Sequence, residues 1–231
     1  MFTHILGTTL VDFPGIVAST VFSSGCNLRC PFCHNPDLVL EPLIEKQPQL
    51  SGDDVVKFIQ KRSGFISGVA FTGGEPLMNP ELESVIDEVK KFNLLVKLDT
   101  NGMFPRLLER LIDKVDYVAM DIKSSPELYS LATGGRGEFS KVLKSLEILM
   151  SRGVKFEVRT TAVPTIWNFK VIDQLCETLD VVPLWVIQNF VPGNIIDDSW
   201  NSVEPYNSDE LDKLASYSSK LATQVRVRKY Y

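Results

Sequence analysis

The sequence has no apolar run long enough to span a bilayer, and its first residues, Met-Phe-Thr-His, lack the basic and apolar stretches of a secretory signal. Clusters of Lys or Arg are also absent and the net charge is −5, so nonspecific binding to nucleic acid or to an acidic membrane surface is not favoured. We therefore expect a cytoplasmic protein that binds neither nucleic acid nor membranes.

Repeats, low-complexity tracts and linkers are missing from the 231 residues, which predicts a single domain over residues 1–231. Cysteine is scarce, with four residues in the chain. Because cytoplasmic thiols stay reduced, disulfide pairing is not expected. The close spacing of Cys26, Cys30 and Cys33 indicates metal binding instead.

Short β-branched runs alternate with helical patterns along the chain. The predicted strands are Ile16–Ser23, Gly68–Thr72, Leu94–Thr100, Asp116–Asp121, Val154–Thr160, Leu184–Gln188 and Gln224–Arg228. Strands that alternate with helices form parallel units with right-handed crossovers, and about six such units would make most of a barrel. The segment before Ile16 is predicted to add a strand and a turn, with Asp12–Gly15 as turn residues.

Polar and glycine-containing motifs follow six of these predicted strands. The motifs are Cys26–His34, Gly73–Pro76, Asp99–Gly102, Asp121–Lys123, Arg159–Thr161 and Gln188–Phe190. The carboxyl ends of parallel barrel strands share one face, where barrel active sites are built. We therefore expect the motifs to form one site.

The three clustered cysteines admit several metal sites. Each iron of a [4Fe–4S] cluster takes one outer ligand, so three thiolates leave one iron open to a small molecule. Zinc prefers four ligands, and His34 adjoins Cys33, which would strain it as the fourth. Cys30–His34 also matches the C-x-x-C-H haem pattern, and Cys30 with Cys33 could form a redox dithiol. The remaining Cys176 is expected to be packed in a helix core.

The pattern Cys-x3-Cys-x2-Cys, with an aromatic residue before the third Cys, resembles the signature of the radical S-adenosylmethionine (SAM) superfamily. Within it, nearly the whole chain is similar to the activating enzymes of glycyl-radical enzymes. The residues that carry this resemblance are Val11–Gly15, Phe22–Cys26, Cys33–Asp37, Gly73–Pro76, Asp99–Gly102, Met120–Lys123 and Thr133-Gly134. Asp12-Phe13-Pro14-Gly15 resembles the longer activating proteins of anaerobic ribonucleoside-triphosphate reductase, whereas pyruvate formate-lyase activases carry Gly where Phe13 stands.

The resemblance implies an incomplete (β/α)6 barrel with an N-terminal strand and turn. It implies a catalytic [4Fe–4S] cluster on Cys26, Cys30 and Cys33 whose open iron binds SAM. An electron from flavodoxin or ferredoxin would cleave SAM to a 5′-deoxyadenosyl radical. The radical would then take a hydrogen atom from a glycine of the partner, the large subunit of anaerobic ribonucleotide reductase.

Contacts with SAM are implied in the same way. Gly73 and Gly74 would let the backbone approach the methionine part. Glu75 would stay ionised as the partner of the cofactor ammonium or of a nearby backbone group. Phe32 would pack beside the adenine, and His34 would touch the ribose or bind a loop carbonyl.

A monovalent cation near the SAM carboxylate is implied at Asp99, Thr100 and Asp121, because two neighbouring carboxylates need a cation. Lys123 would neutralise either the SAM carboxylate or Asp121. The other strand-end residues expected to face the cofactor are Asn101, Arg159 and Gln188.

Two kinds of alternative stay open. The same chemistry could act on pyruvate formate-lyase, on another glycyl-radical enzyme or on a small molecule. A protein of another class, a non-catalytic iron–sulfur or zinc protein, would leave the strand-end motifs without a purpose.

Overall fold

Eight strands form one sheet in residues 1–228, the part of the chain that the computed structural model describes. The strands are β1 (Phe2–Thr9), β2 (Ala18–Ser23), β3 (Gly68–Gly73), β4 (Leu95–Thr100), β5 (Tyr117–Asp121), β6 (Lys155–Ala162), β7 (Val182–Asn189) and β8 (Ala222–Arg228). Their order in the sheet follows the sequence. β1 is antiparallel to β2, and every later neighbour pair is parallel. β1 and β8 remain at the two edges, which makes the sheet an incomplete barrel.

Helices connect the parallel strands. They are α1 (Pro36–Val39), α2 (Glu41–Ile44), α3 (Gly52–Arg62), α4 (Leu82–Lys90), α5 (Pro105–Leu111), α6 (Tyr129–Ala132), α7 (Phe139–Arg152), α8 (Phe169–Cys176) and α9 (Ser208–Tyr217). The longer helices α3, α4, α5, α7, α8 and α9 follow β2 to β7 in turn, which confirms the predicted (β/α)6 arrangement. No helix within residues 1–228 has the length and apolar character needed to cross a membrane.

Local sequence signals set several of the element ends. Ser51 caps α3, because its side chain accepts a hydrogen bond from the Asp54 N–H while the Asp54 carboxylate accepts from the Ser51 N–H. Gly153 ends α7 in the left-handed region, at φ 71°. The predicted strand ends lie within two residues of the observed ones.

The two faces of the strands differ in chemistry. On β4, Val96 and Leu98 are fully buried in the hydrophobic core. Alternate residues of a strand point to opposite faces, so Lys97 and Asp99 lie on the other face, inside the barrel. Lys97 is 2% exposed, and its ammonium contacts the Asp99 carboxylate. The barrel interior is therefore charged rather than apolar.

The N-terminal strand and turn are confirmed. The turn between β1 and β2 lies at the amino end of the parallel strands, opposite the loop that follows β2. Phe13 is buried there against the ring of Tyr117, with 6.1 Å between ring centroids. Asp12 accepts a hydrogen bond of 2.6 Å from the Thr20 hydroxyl of β2.

Candidate active site

A cavity of about 680 Å³ opens at the carboxyl ends of the strands and extends through the barrel to Asp12. Its volume lies within the range of ordinary small-molecule sites, about 300–1,000 Å³. The sequence-predicted residues that line it are Cys26, Cys30, Phe32, Cys33, His34, Gly73, Gly74, Asp99, Thr100, Asn101, Asp121, Lys123, Arg159 and Gln188. Glu75 is fully buried next to this lining. The motifs predicted to meet at one face do meet there.

The three clustered cysteines lie in the loop between β2 and α1, and each carries a free thiol. Burial raises the pKa of Cys26 to about 11 and that of Cys30 to about 12, and it raises the pKa of Cys33 as well. Lys123 acts on all three thiols in the opposite direction, because its positive charge favours the thiolates. A bound metal group requires the loss of these protons, and the positive charge of Lys123 assists that loss.

Two observations fit a [4Fe–4S] cluster on this loop. Three thiols, the soft ligands that iron–sulfur clusters take, line one cavity that is large enough for a small molecule beside them. The buried hydroxyl of Tyr129 has no hydrogen-bond partner within residues 1–228. This hydroxyl lies near Cys30, close enough for the two groups to interact electrostatically. A cluster carries sulfur acceptors that such a donor could bind.

A single bound metal ion is one alternative to the cluster. Within residues 1–228, no group of three or more His, Cys, Asp or Glu side chains is placed to hold a single metal ion. Cys176 is half-buried at the end of α8 and packs against the hydrophobic core, as predicted. It does not contribute to the cavity lining.

Close contact with the backbone of β2 and of the loop after it requires glycine at Gly73 and Gly74. A Cβ atom on Gly73, which has φ +117°, would lie 2.3 Å from the Ser23 carbonyl oxygen. A Cβ atom on Gly74 would lie 2.1 Å from the Gly25 carbonyl oxygen. The backbones also bond, since the N–H groups of Gly74 and Glu75 donate to Ser23 and Gly25 at 2.8 Å. The glycines thus hold the start of the cysteine loop against β3.

Three neutral donors bind the Glu75 carboxylate. Its carboxylate accepts from the Asn101 N–H at 2.7 Å, the Thr100 hydroxyl at 2.9 Å and the Leu77 N–H at 3.1 Å. Burial raises its pKa to about 7, because these hydrogen bonds offset only part of the loss of water. Glu75 was predicted to pair with the SAM ammonium or with a nearby backbone group, and backbone N–H groups lie at its carboxylate.

Asp99 and Asp121 are surrounded by cationic side chains. The Arg159 guanidinium donates to Asp99 through Nη1 and to Asp121 through Nε, both at 2.9 Å. Lys97 contacts Asp99, and Lys123 lies 3.1 Å from Asp121. Burial alone would raise the pKa of Asp99, but Arg159 and Lys97 lower it to about 2. Arg159 supplies the positive charge that two neighbouring carboxylates need. A monovalent cation at Asp99, Thr100 and Asp121 stays a prediction.

The remaining predicted residues have defined neighbours. His34 Nε2 lies 2.6 Å from the Val191 carbonyl oxygen, which corresponds to the loop-carbonyl alternative. The Phe32 ring contacts Trp200, with 6.0 Å between centroids. Gln188 lines the cavity from β7 and pairs in register with Arg228 of β8.

Sequence reasoning missed Lys97 and the inner pair of Glu157 and Arg228. Glu157 is 1% exposed and accepts from Arg228 at 3.1 Å and from the Tyr117 hydroxyl at 2.9 Å. A signal for Lys97 was present, because a residue two positions before Asp99 on a strand must share its face.

Known proteins resemble this chain in sequence and in fold. The family model described as the Radical SAM superfamily matches residues 20–180. A candidate glycyl-radical enzyme activating enzyme of Methanocaldococcus jannaschii is 27% identical over 231 aligned positions, 97% of this chain and 94% of that protein. The pyruvate formate-lyase-activating enzyme of Clostridium pasteurianum is 35% identical over 170 positions, 70% of this chain and 68% of that enzyme.

A solved structure supports the same fold. Streptococcus suis SuiB bound to S-adenosylmethionine superposes on 90% of this chain with a TM-score of 0.64, at 13% sequence identity. The chain spans about half of SuiB, or 49% of its length. At this identity the likeness concerns the fold alone, and it agrees with the predicted α/β barrel.

Proposed function

Because the chain belongs to the radical SAM superfamily, we propose that it activates a glycyl-radical enzyme and that the target is anaerobic ribonucleoside-triphosphate reductase. The superfamily assignment makes the chain an enzyme that uses a [4Fe–4S] cluster and SAM. Activation of a glycyl-radical enzyme is supported by the M. jannaschii relative. The choice of the reductase rests on Asp12-Phe13-Pro14-Gly15.

Activation of pyruvate formate-lyase is a second candidate function. The C. pasteurianum relative, at 35% identity, favours it. The substitution of Phe13 for glycine in the turn argues for the reductase. Phe13 is buried against Tyr117 and follows Asp12, which lines the cavity.

The observation that carries the proposal is the single cavity that joins three free thiols to the polar ends of neighbouring strands. Cys26, Cys30 and Cys33 would hold the cluster. When bound, the cluster supplies one electron to the sulfonium of SAM, which yields methionine and a radical able to take hydrogen from a glycine Cα.

The protein's own residues would orient the cofactor and exclude water. Lys123 lies between the cysteines and Asp121, so it places a positive charge where thiolates and the carboxylate of SAM would gather. Phe32 is buried beside the cysteine loop and would cover the adenine. Gly73 and Gly74 would fix the distance between this loop and the rest of the pocket.

Several finer statements belong to the same proposal. Flavodoxin or ferredoxin would supply the electron, and the partner's glycine loop would enter the cavity. The cytoplasmic location, the single domain over residues 1–231 and the absence of binding to nucleic acid or membranes stay predictions.

The first experiment tests the cluster. Anaerobic reconstitution should give about four irons and four sulfides per chain, one cubane. Cys30→Ala should lose the visible absorption of the cluster, whereas Cys176→Ala should keep it. Zinc without inorganic sulfide in the wild-type protein would end the proposal.

The second experiment tests the target. The reduced protein with SAM is mixed in separate samples with the large subunit of anaerobic ribonucleotide reductase and with pyruvate formate-lyase. A glycyl signal in electron paramagnetic resonance should appear with the reductase. A signal with pyruvate formate-lyase alone would transfer the assignment to the second candidate, and 5′-deoxyadenosine without any glycyl signal would favour a small-molecule substrate.

A further inference from the structure

Asn101 connects the end of β4 with the cysteine loop. Its side-chain amide nitrogen donates to the Asn27 side-chain oxygen at 2.8 Å and lies 3.7 Å from Cys26 Sγ. The second distance is within the reach of an N–H···S hydrogen bond. Asn101 is 5% exposed, so water does not compete strongly for these donors.

The orientation of the Asn101 amide is fixed by its other contacts. Its side-chain oxygen accepts the Met103 N–H at 3.0 Å, which leaves the NH2 group to face Cys26. The backbone N–H of Asn101 donates to Glu75 at 2.7 Å. The residue is therefore held from two sides, and a flip of the amide would place its NH2 group against the Met103 N–H.

Both a side-chain donor and a backbone donor reach the sulfur of Cys26. Its sulfur also accepts the Leu28 N–H at 3.4 Å, so a backbone donor and a side-chain donor converge on it. Donors that point at a ligating sulfur draw negative charge away from it, and they thereby favour the reduced, more negative state of an iron–sulfur cluster. Backbone donors are common to any loop, whereas Asn101 reaches Cys26 from a different strand.

We propose that Asn101 is a positioning residue for the cluster, which orients Cys26 and raises the reduction potential through an N–H···S hydrogen bond. This inference rests on the proposed ligation by Cys26, Cys30 and Cys33. It adds to the prediction that Asn101 faces the cofactor, because the same side chain links the Glu75 region to a metal ligand.

The test uses two variants that keep the turn at Met103. Asn101→Ser and Asn101→Asp both retain a side-chain oxygen that can accept the Met103 N–H. The Asp carboxylate has no hydrogen to donate, and the Ser hydroxyl is one bond shorter than the amide NH2 group that lies 3.7 Å from Cys26 Sγ. Redox titration of the reconstituted protein, followed by electron paramagnetic resonance, measures the potential. Asn101→Ser should reduce the equilibrium constant for one-electron reduction about tenfold, a shift of about 59 mV to lower potential. Asn101→Asp, which adds negative charge, should shift it further.

Asn79 offers a matched control. It is also 5% exposed, and its side-chain oxygen accepts the N–H two residues later, that of Glu81, at 3.0 Å. Asn79 does not line the cavity. Asn79→Ser should therefore lower stability without changing the potential or the iron content.

The outcomes separate this inference from the proposed function. Wild-type protein without iron and sulfide would remove the cluster itself. Asn101→Ser with a full cluster and the wild-type potential would overturn the role of Asn101, as would an equal shift in Asn79→Ser. Loss of the cluster in Asn101→Ser, with an unchanged circular dichroism spectrum and a full cluster in Asn79→Ser, would support the positioning role.

Discussion

Two carboxylates that line the cavity, Asp99 and Asp121, have surroundings opposite to those of Glu75, which is buried beside it. Glu75 accepts hydrogen bonds from two backbone N–H groups and a hydroxyl, and its pKa is raised to about 7. Asp99 and Asp121 are bridged by Arg159, and the pKa of Asp99 is lowered to about 2. Burial acts on all three groups in the same direction, so the cations cause the difference.

The difference shows that Asp99 and Asp121 stay ionised, whereas the protonation of Glu75 can change near neutral pH. The side formed by β4, β5 and β6 holds two ionised carboxylates at any ordinary pH. The side formed by β3 and the following turn holds a carboxyl group near its titration midpoint.

The largest expected effect comes from removing the bridge. Arg159→Leu removes two charge-assisted hydrogen bonds, one to Asp99 and one to Asp121, and leaves each carboxylate with a single lysine. Loss of these two bonds should cost about 3–5 kcal/mol. Urea unfolding of the cluster-free protein should show this loss in the free energy of unfolding. Arg152→Leu removes an exposed pair with Glu109, of 3.4 Å, and should cost about 1 kcal/mol or less. Equal losses in the two variants would mean that Arg159 does not hold the acidic side together.

The second effect is a pH dependence that belongs to Glu75. A carboxyl group with a pKa of about 7 when folded and 4.5 when unfolded takes up a proton on folding between these values. Burial of the Glu75 carboxylate therefore costs no stability below about pH 4.5. The loss in the free energy of unfolding grows as the pH rises and is complete above about pH 7, where it approaches about 3 kcal/mol. Unfolding measured from pH 5 to pH 8, without SAM, should show wild type losing stability relative to Glu75→Gln. A difference that stayed constant with pH would contradict the raised pKa.

The local part of both carboxylate sites could be predicted from the sequence. Short β-branched runs located β3 and β4, and the motifs at their ends placed Glu75, Asp99 and Thr100 on one face of the barrel. The capping pair of Ser51 and Asp54 was equally readable, because its hydrogen bonds join residues three positions apart. Signals of this kind depend on neighbours along the chain.

The parts that escaped prediction depend on pairing between strands. Arg159 bridges the carboxylates because Asp121 pairs in register with it across β5 and β6, and a shift of one residue would turn its side chain to the other face. Gly73 meets Ser23 because these residues pair across β2 and β3. Sequence periodicity identifies a strand and its faces, but it does not set the register with a distant strand.

A smaller effect is expected from Lys97, the second cation on Asp99. In Lys97→Met the carboxylate keeps Arg159 at 2.9 Å and the Thr72 hydroxyl at 3.1 Å, so no buried charge is left alone. Because Arg159 still pairs with the carboxylate and the desolvation cost of burying the Lys97 ammonium disappears, we expect a loss of about 1 kcal/mol or less. Urea unfolding alongside Arg159→Leu gives the comparison. A loss as large as that of Arg159→Leu would assign the neutralising role to both cations equally.

The smallest effect concerns the monovalent cation predicted at Asp99, Thr100 and Asp121. Because Arg159 already bridges the two carboxylates, exchange of potassium for choline at constant ionic strength should change SAM affinity by about twofold or less, roughly 0.4 kcal/mol. Titration calorimetry of the cluster-loaded protein measures this. In Arg159→Leu the carboxylates lose their bridge, so potassium should then strengthen SAM binding more than it does in wild type. A tenfold effect of potassium on the wild-type protein would show that a dissolved cation takes the place of Arg159 when SAM binds, and the acidic side would then be as adjustable as the Glu75 side.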